Sequence, residues 1–243
     1  MTRKKMSGGT PSGPRRGRVT RPNKESAENQ RQLTKKVKTA KGRKLSSKLW
    51  IERQINDPYV ARARAEGWRS RAAFKLQEID EKFGVVPDGG RVADLGSAPG
   101  GWSQVAMRRG AGRVVGIDLL PVEPIDGTEQ IQLDFTDDSA GERVMDLLGG
   151  RPQLVMSDLA ANTTGHKQTD HLRTIALVEA AVQFAYDNLE KGGAFVAKVF
   201  QGGTTGDILA QLKHRFETVR HFKPESSRKG SPEIYLVATG FKG

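Results

Sequence analysis

From about Trp50 onward, short apolar runs alternate with segments whose apolar residues recur every three or four positions. That is the pattern of strands buried on both faces, separated by amphipathic helices. Residues 91–95, 113–118, 129–133, 152–157, 193–199, 216–222 and 233–239 read as strands, and 69–83, 101–108, 139–148, 171–190 and 206–214 as helices. The alternation predicts an α/β domain with a mostly parallel sheet. Within 69–83, Ala72, Ala73, Leu76, Ile79 and Phe83 share one face, leaving Arg71, Lys75, Glu78 and Lys82 towards the other. The strand Arg91-Val-Ala-Asp-Leu95 runs straight into Gly96, and a helix starts at the glycines 100 and 101. No internal repeat is visible.

The first fifty residues break this pattern. Sixteen of the 40 lysines and arginines lie there, against only Glu25 and Glu28 of the 28 acids, so the net charge of +12 is concentrated in that stretch and the remainder is slightly acidic. Its apolar residues are too sparse to offset an ordering entropy of about 1–2 kcal/mol per residue. Residues 1–49 are therefore expected to form a disordered basic arm and 50–243 the folded domain. Such an arm fits sequence-independent contact with nucleic-acid phosphates, or plain solubilisation. The chain has no cysteine, which excludes disulfides and thiolate metal sites and points to a reducing cytoplasm. No apolar run approaches the roughly 20 residues of a membrane span, and no signal peptide is expected. Without long heptads or a broad apolar stripe, a monomer is expected.

The chemistry gathers at strand ends. In Asp94-Leu-Gly-Ser-Ala-Pro-Gly-Gly-Trp102 the glycines 96, 100 and 101 suit a sharp backbone turn beside a ligand, but their spacing is not the G-x-G-x-x-G of dinucleotide sites. A smaller adenosine ligand fits better. Asp118 ends the next strand, where it is placed to accept from ribose hydroxyls, or is a generic strand-end acid. Asp134 follows the third strand, positioned for an adenine amino group with Phe135 packing on the base; an Asx turn into Thr136 is the alternative. Asp158 ends the fourth. His166 and His171 lie five apart in a polar loop, and helix capping by Thr169 or Asp170 accounts for that segment without a metal. The loop 226–232, rich in serine and basic residues, suits an RNA phosphate or a solvated turn.

The run Asp94-Leu-Gly-Ser-Ala-Pro-Gly-Gly-Trp-Ser-Gln104, with Met156-Ser-Asp-Leu-Ala-Ala-Asn162 and Phe195-Val-Ala-Lys-Val-Phe-Gln201, strongly resembles the FtsJ/RlmE family of ribosomal RNA 2′-O-methyltransferases. The likeness covers roughly residues 50–243. It implies a Rossmann-like fold dependent on S-adenosyl-L-methionine, with a seven-stranded sheet whose last strand inserts antiparallel. It also implies a catalytic tetrad of Lys75, Asp158, Lys198 and Glu233, and cofactor contacts from Gly100, Trp102, Asp118, Asp134 and Asp158. The implied substrate is a uridine of 23S rRNA in the assembled large (50S) ribosomal subunit, which a basic patch around Arg62, Arg64, Arg69 and Arg71 would grip together with the arm.

Methyl transfer to a ribose hydroxyl needs the oxygen in line with the methyl group and loss of its proton as the bond forms. A lysine acts as base only when neutral; otherwise it orients the hydroxyl and stabilises developing negative charge. Lys198 sits inside an apolar strand, where burial demands either a purpose or a paired carboxylate. Competing expectations are a 2′-O-methyltransferase of transfer RNA or of a messenger cap, and a noncatalytic ribosome-assembly factor. A nicotinamide dehydrogenase is remote, given the glycine spacing.

Overall fold

Seven strands line up in the order β3-β2-β1-β4-β5-β7-β6 in a computed structural model that describes residues 45–160, 167–201 and 206–243. The strands are β1 (Arg91–Leu95), β2 (Arg113–Asp118), β3 (Thr128–Gln132), β4 (Leu154–Ser157), β5 (Ala194–Phe200), β6 (Phe216–Phe222) and β7 (Glu233–Phe241). Neighbours from β3 through β5 pair in parallel, and β7 is antiparallel to both β5 and β6. The expected mixed sheet with an inserted antiparallel last strand is therefore present. Most of the arm expected at 1–49, together with Asn162 and His166, lies outside the described residues, as does the side chain of His171.

The central strands are almost wholly buried, and alternate side chains feed two cores, as the period of two requires. Ala93, Val115, Val155 and Phe195 point to one face, packed under α5 (Ala140–Leu148), α6 (Lys167–Asn188) and α7 (Gly206–Arg215). Val92, Val114, Leu154 and Val196 point to the other, under α3 (Ala73–Phe83) and α4 (Gly101–Arg108). The same alternation sends Asp94, Lys198 and Tyr235 towards α3 and α4. Polar groups thus enter the second core only at the carboxyl ends of the strands, where open α/β sheets bind ligands.

Three differences from the sequence-based expectation have local causes. The helix expected over 69–83 begins at Ala73, because residues 69–72 form a turn in which the Gln104 side chain accepts from the Arg69 N–H. Two helices not expected, α1 (Leu45–Ile55) and α2 (Pro58–Ala65), precede it; α2 carries an Asp57 cap accepting from the Tyr59 N–H and a proline in its first turn. That Asp-Pro signal is legible in the sequence. Finally, α6 starts at Lys167, so Thr169 and Asp170 lie within the helix and do not cap it.

Phe195 is fully buried in β5. Its replacement by alanine should lower unfolding free energy by about 3–5 kcal/mol in urea titrations. A loss under about 1 kcal/mol would contradict this packing.

Candidate active site

Lys75 was expected on the polar face of its helix, yet it is only 8% exposed. Within the polar stripe of α3, Lys75 and Glu78 face β7 and the loop before it, while Lys82 stays exposed beside the end of β6. Glu78 accepts from the backbone N–H groups of Glu225 and Ser226, and the Lys82 ammonium lies 4.4 Å from the centre of the Phe222 ring. Lys75 Nζ reaches Glu233 Oε1 at 2.6 Å and lies 3.8 Å from Asp158 Oδ1.

Lys198, also 8% exposed, approaches from β5. Its ammonium donates to the Asp158 carbonyl oxygen at 2.7 Å and lies 3.2 Å from Asp158 Oδ1. Antiparallel register sets Tyr235 opposite Lys198 and Glu233 opposite Phe200. The Tyr235 hydroxyl donates to Asp158 Oδ1 at 2.6 Å and lies 3.4 Å from Glu233 Oε1, while Ser227 Oγ donates to Glu233 Oε1 at 3.2 Å. The four residues of the implied tetrad are thus brought together. Burial, reinforced by the Asp158 and Glu233 carboxylates, holds the Tyr235 phenol well above its usual range, so it stays a neutral donor.

Beside this cluster lies a cavity of about 170 Å³ whose lining includes Asp94, Gly96, Ala98, Trp102 and Asp158. Burial above all, with the Asp158 and then the Asp118 carboxylate adding to it, pushes Asp94 up to about 7 although Ser103 Oγ donates to it at 2.7 Å. Two carboxylates on one small cavity suit a cationic ligand group. Gly100 takes φ +102° at the start of α4, and an added Cβ would meet Ile125 Cδ1 at 2.5 Å. Trp102 is buried, its indole N–H donating to the Ala72 carbonyl. Asp118 accepts from the Ala98 and Leu120 N–H groups, one on each carboxylate oxygen. Asp134 is exposed and takes the Asx-turn alternative, accepting from the N–H and hydroxyl of Thr136. Phe135 belongs to the core.

Several expected RNA contacts are turned inward instead. Arg69 donates to the carbonyls of Pro99, Glu123 and Pro124. Arg71 bonds Asp57 and the Ser226 carbonyl, and Arg228 bonds Asp57. Arg62, paired with Glu66 on the surface, and Arg64 remain exposed charges of that patch. Ser226 and Ser227 are buried. Asp94 and Tyr235 were missed as site residues. Both had a signal: an acid within the apolar run Val92–Leu95, and a tyrosine two residues from Glu233 on the same strand face.

A doubly wound sheet with an inserted antiparallel strand, bearing a ligand cavity and a lysine–carboxylate cluster at its carboxyl ends, defines a Rossmann-like methyltransferase domain. The chain belongs to the FtsJ-like methyltransferase family, whose pattern matches residues 68–241. It is 61% identical over 206 residues to ribosomal RNA large subunit methyltransferase E of Granulibacter bethesdensis, covering 85% of this chain and 90% of that protein. The protein of the same name from Caulobacter vibrioides is 57% identical over 208 residues, covering 86% and 92%. A solved Plasmodium falciparum structure, described as a ribosomal RNA methyltransferase, is 31% identical with a TM-score of 0.65, covering 72% of this chain and all of that one.

The raised Asp94 carboxyl has a sign that can be tested. The folded state holds this proton more tightly than the unfolded state, so its contribution to stability is complete below about pH 4 and declines as pH rises to about 7. Asp94→Asn removes the titration. In urea titrations the variant should gain on the parent across that window, by up to about 4 kcal/mol, with a constant difference at higher pH. A difference independent of pH would contradict the assignment.

Proposed function

We propose that this protein transfers a methyl group from S-adenosyl-L-methionine to the ribose 2′-hydroxyl of a uridine in 23S rRNA of the large ribosomal subunit. The observation that carries the reading is the pair of buried lysines gathered on one carboxylate beside the Asp94–Asp158 cavity. The names borne by close relatives support the substrate.

When bound, S-adenosyl-L-methionine supplies an electrophilic methyl group on a sulfonium centre. Asp94 and Asp158 face its positive charge, Gly100 and Trp102 shape the turn beside it, and Asp118 and Asp134 hold the adenosine end. A cation in the cavity favours the ionised form of Asp94, so ligand binding releases a proton near neutral pH. In this reading the protein is a single-chain cytoplasmic enzyme. Among the described residues no helix is long and apolar enough to cross a membrane.

Two acceptors already engage the Lys198 ammonium, the Asp158 carbonyl and carboxylate. That arrangement favours a charged lysine which donates to the ribose oxygen and stabilises the negative charge growing there. The hydroxyl proton then leaves to water as the oxygen–carbon bond forms. Glu233 fixes Lys75, which orients the substrate ribose, and Asp158 fixes Lys198, with Tyr235 anchoring both carboxylates.

Large subunits from cells lacking the enzyme should accept labelled methyl on ribose from the intact protein. Lys198→Ala should lower the rate by about 10²–10⁴-fold while cofactor binding persists. Undiminished transfer by the variant would sink the tetrad assignment. Label on a base, on transfer RNA or on a messenger cap would replace the proposed reaction, and no transfer to any RNA despite cofactor binding would favour an assembly factor.

A further inference from the structure

The basic side chains nearest the reacting groups are committed within the protein: Arg69 to three carbonyls, Arg71 and Arg228 to Asp57. Outside the N-terminal stretch the chain is slightly acidic overall. Exposed basic charge remains at Arg62, Arg64 and Lys229, and a further concentration of basic side chains lies at the opposite pole. There β7, running antiparallel, ends beside the amino ends of the parallel strands: Gly192 N–H donates to the Phe241 carbonyl. A groove of about 870 Å³ at this pole is lined by Arg151, Tyr186, Lys191 and Arg215 among others. Lys213 and Lys242 line the adjoining depression; Arg151, Arg215 and Lys242 each donate to a backbone carbonyl, so Lys191 and Lys213 carry the charge most open to a ligand. Asp187 is the one carboxylate side chain lining either.

The groove has features beyond charge. Tyr186 lies nearly parallel to Phe241, with ring centres 6.3 Å apart, and the Arg215 guanidinium sits 5.3 Å from the centre of the tyrosine ring. The Tyr186 hydroxyl is buried and has no hydrogen-bond partner among the described residues. Lys191 and Lys213 are exposed and make no ion pair there either. A phosphodiester chain offers what these two lysines lack: oxygen acceptors at regular spacing that carry negative charge.

We propose that this groove is a second RNA-contact surface, binding the sugar-phosphate backbone of a substrate segment remote from the methylated nucleotide. The proposal rests on the RNA reading above and deepens it. At about 3.4 Å per residue, β7 separates Phe241 from Glu233 by roughly 27 Å. Backbone held in the groove therefore lies well away from the reacting ribose. The groove contributes to capture of the folded RNA and leaves the chemical step alone.

The test compares the full chain with Lys191→Gln/Lys213→Gln, and with the control Arg143→Gln/Arg220→Gln, whose residues lie outside both the groove and the active site. Binding to purified 23S rRNA is measured across a potassium chloride series. The groove variant should show a plot of log affinity against log salt shallower by about two. Its KM for large subunits should rise about tenfold, with kcat within about twofold of the parent and an unchanged melting temperature. The control should follow the parent. A parental slope and KM in the groove variant, or an equal change in the control, would overturn the proposal. If the parent places no methyl on ribose, the activity reading falls while the salt slope still decides the groove.

Discussion

Asp158 Oδ1 meets the ammonium of Lys198 at 3.2 Å, that of Lys75 at 3.8 Å and the hydroxyl of Tyr235 at 2.6 Å. Two ammonium groups cannot leave water for the top of an apolar core without compensation. The Asp158 carboxylate and carbonyl supply it for Lys198, and Glu233 with Asp158 supplies it for Lys75. The three groups come from β5, α3 and β7, so one carboxylate lies between three elements distant in sequence. Removing the carboxylate would leave two buried ammonium groups with one carboxylate, Glu233, between them, a larger disturbance than the loss of one surface ion pair.

The inserted strand makes this convergence possible. Because β7 enters between β5 and β6 in antiparallel register, Tyr235 falls opposite Lys198 and Glu233 arrives at the carboxyl end of the sheet. A parallel strand in the same slot would begin at the other pole and deliver its first residues far from the site. The loop before β7 is held as firmly as the strand: Glu78 accepts two of its N–H groups, and Arg71 joins Ser226 to Asp57 at the start of α2. Helices ahead of the sheet thereby brace the last strand of it.

The strands and the candidate site residues stood out in the sequence for different reasons. The apolar runs at 113–118, 152–157 and 193–199 announce a sheet covered on both faces, since such strands need no polar side. The glycine loop and the lysine in Phe195–Phe200 stood out because each is costly unless it has a use. Spacing along the chain could not show that Lys75 and Glu78 face β7 and its loop. A helix reveals which residues are polar, and only tertiary packing reveals whether the polar stripe meets water or a partner. Arg69 and Arg71 misled in the same way, because composition counts charges without saying which carbonyls and carboxylates they satisfy. The helix over Pro58–Ala65 announced itself by Asp57 and Pro58 but lacks a strong apolar stripe. Asp134 takes the Asx turn, with both contacts from Thr136 on one carboxylate oxygen.

The place of β7 in the chain has a consequence for how the molecule comes into being. Synthesis delivers the glycine loop, Asp118 and Asp158 first, then Lys198, and only afterwards Glu233 and Tyr235. Until that final hairpin with β6 closes, Lys75 lacks its nearest counter-ion and the slot beside β5 stands open as an unpaired edge. The nascent chain can thus complete the residues around the Asp94–Asp158 cavity while the carboxylate that pairs with Lys75 is still missing. The lysine–carboxylate cluster closes in one late step, when the sheet fills its last gap.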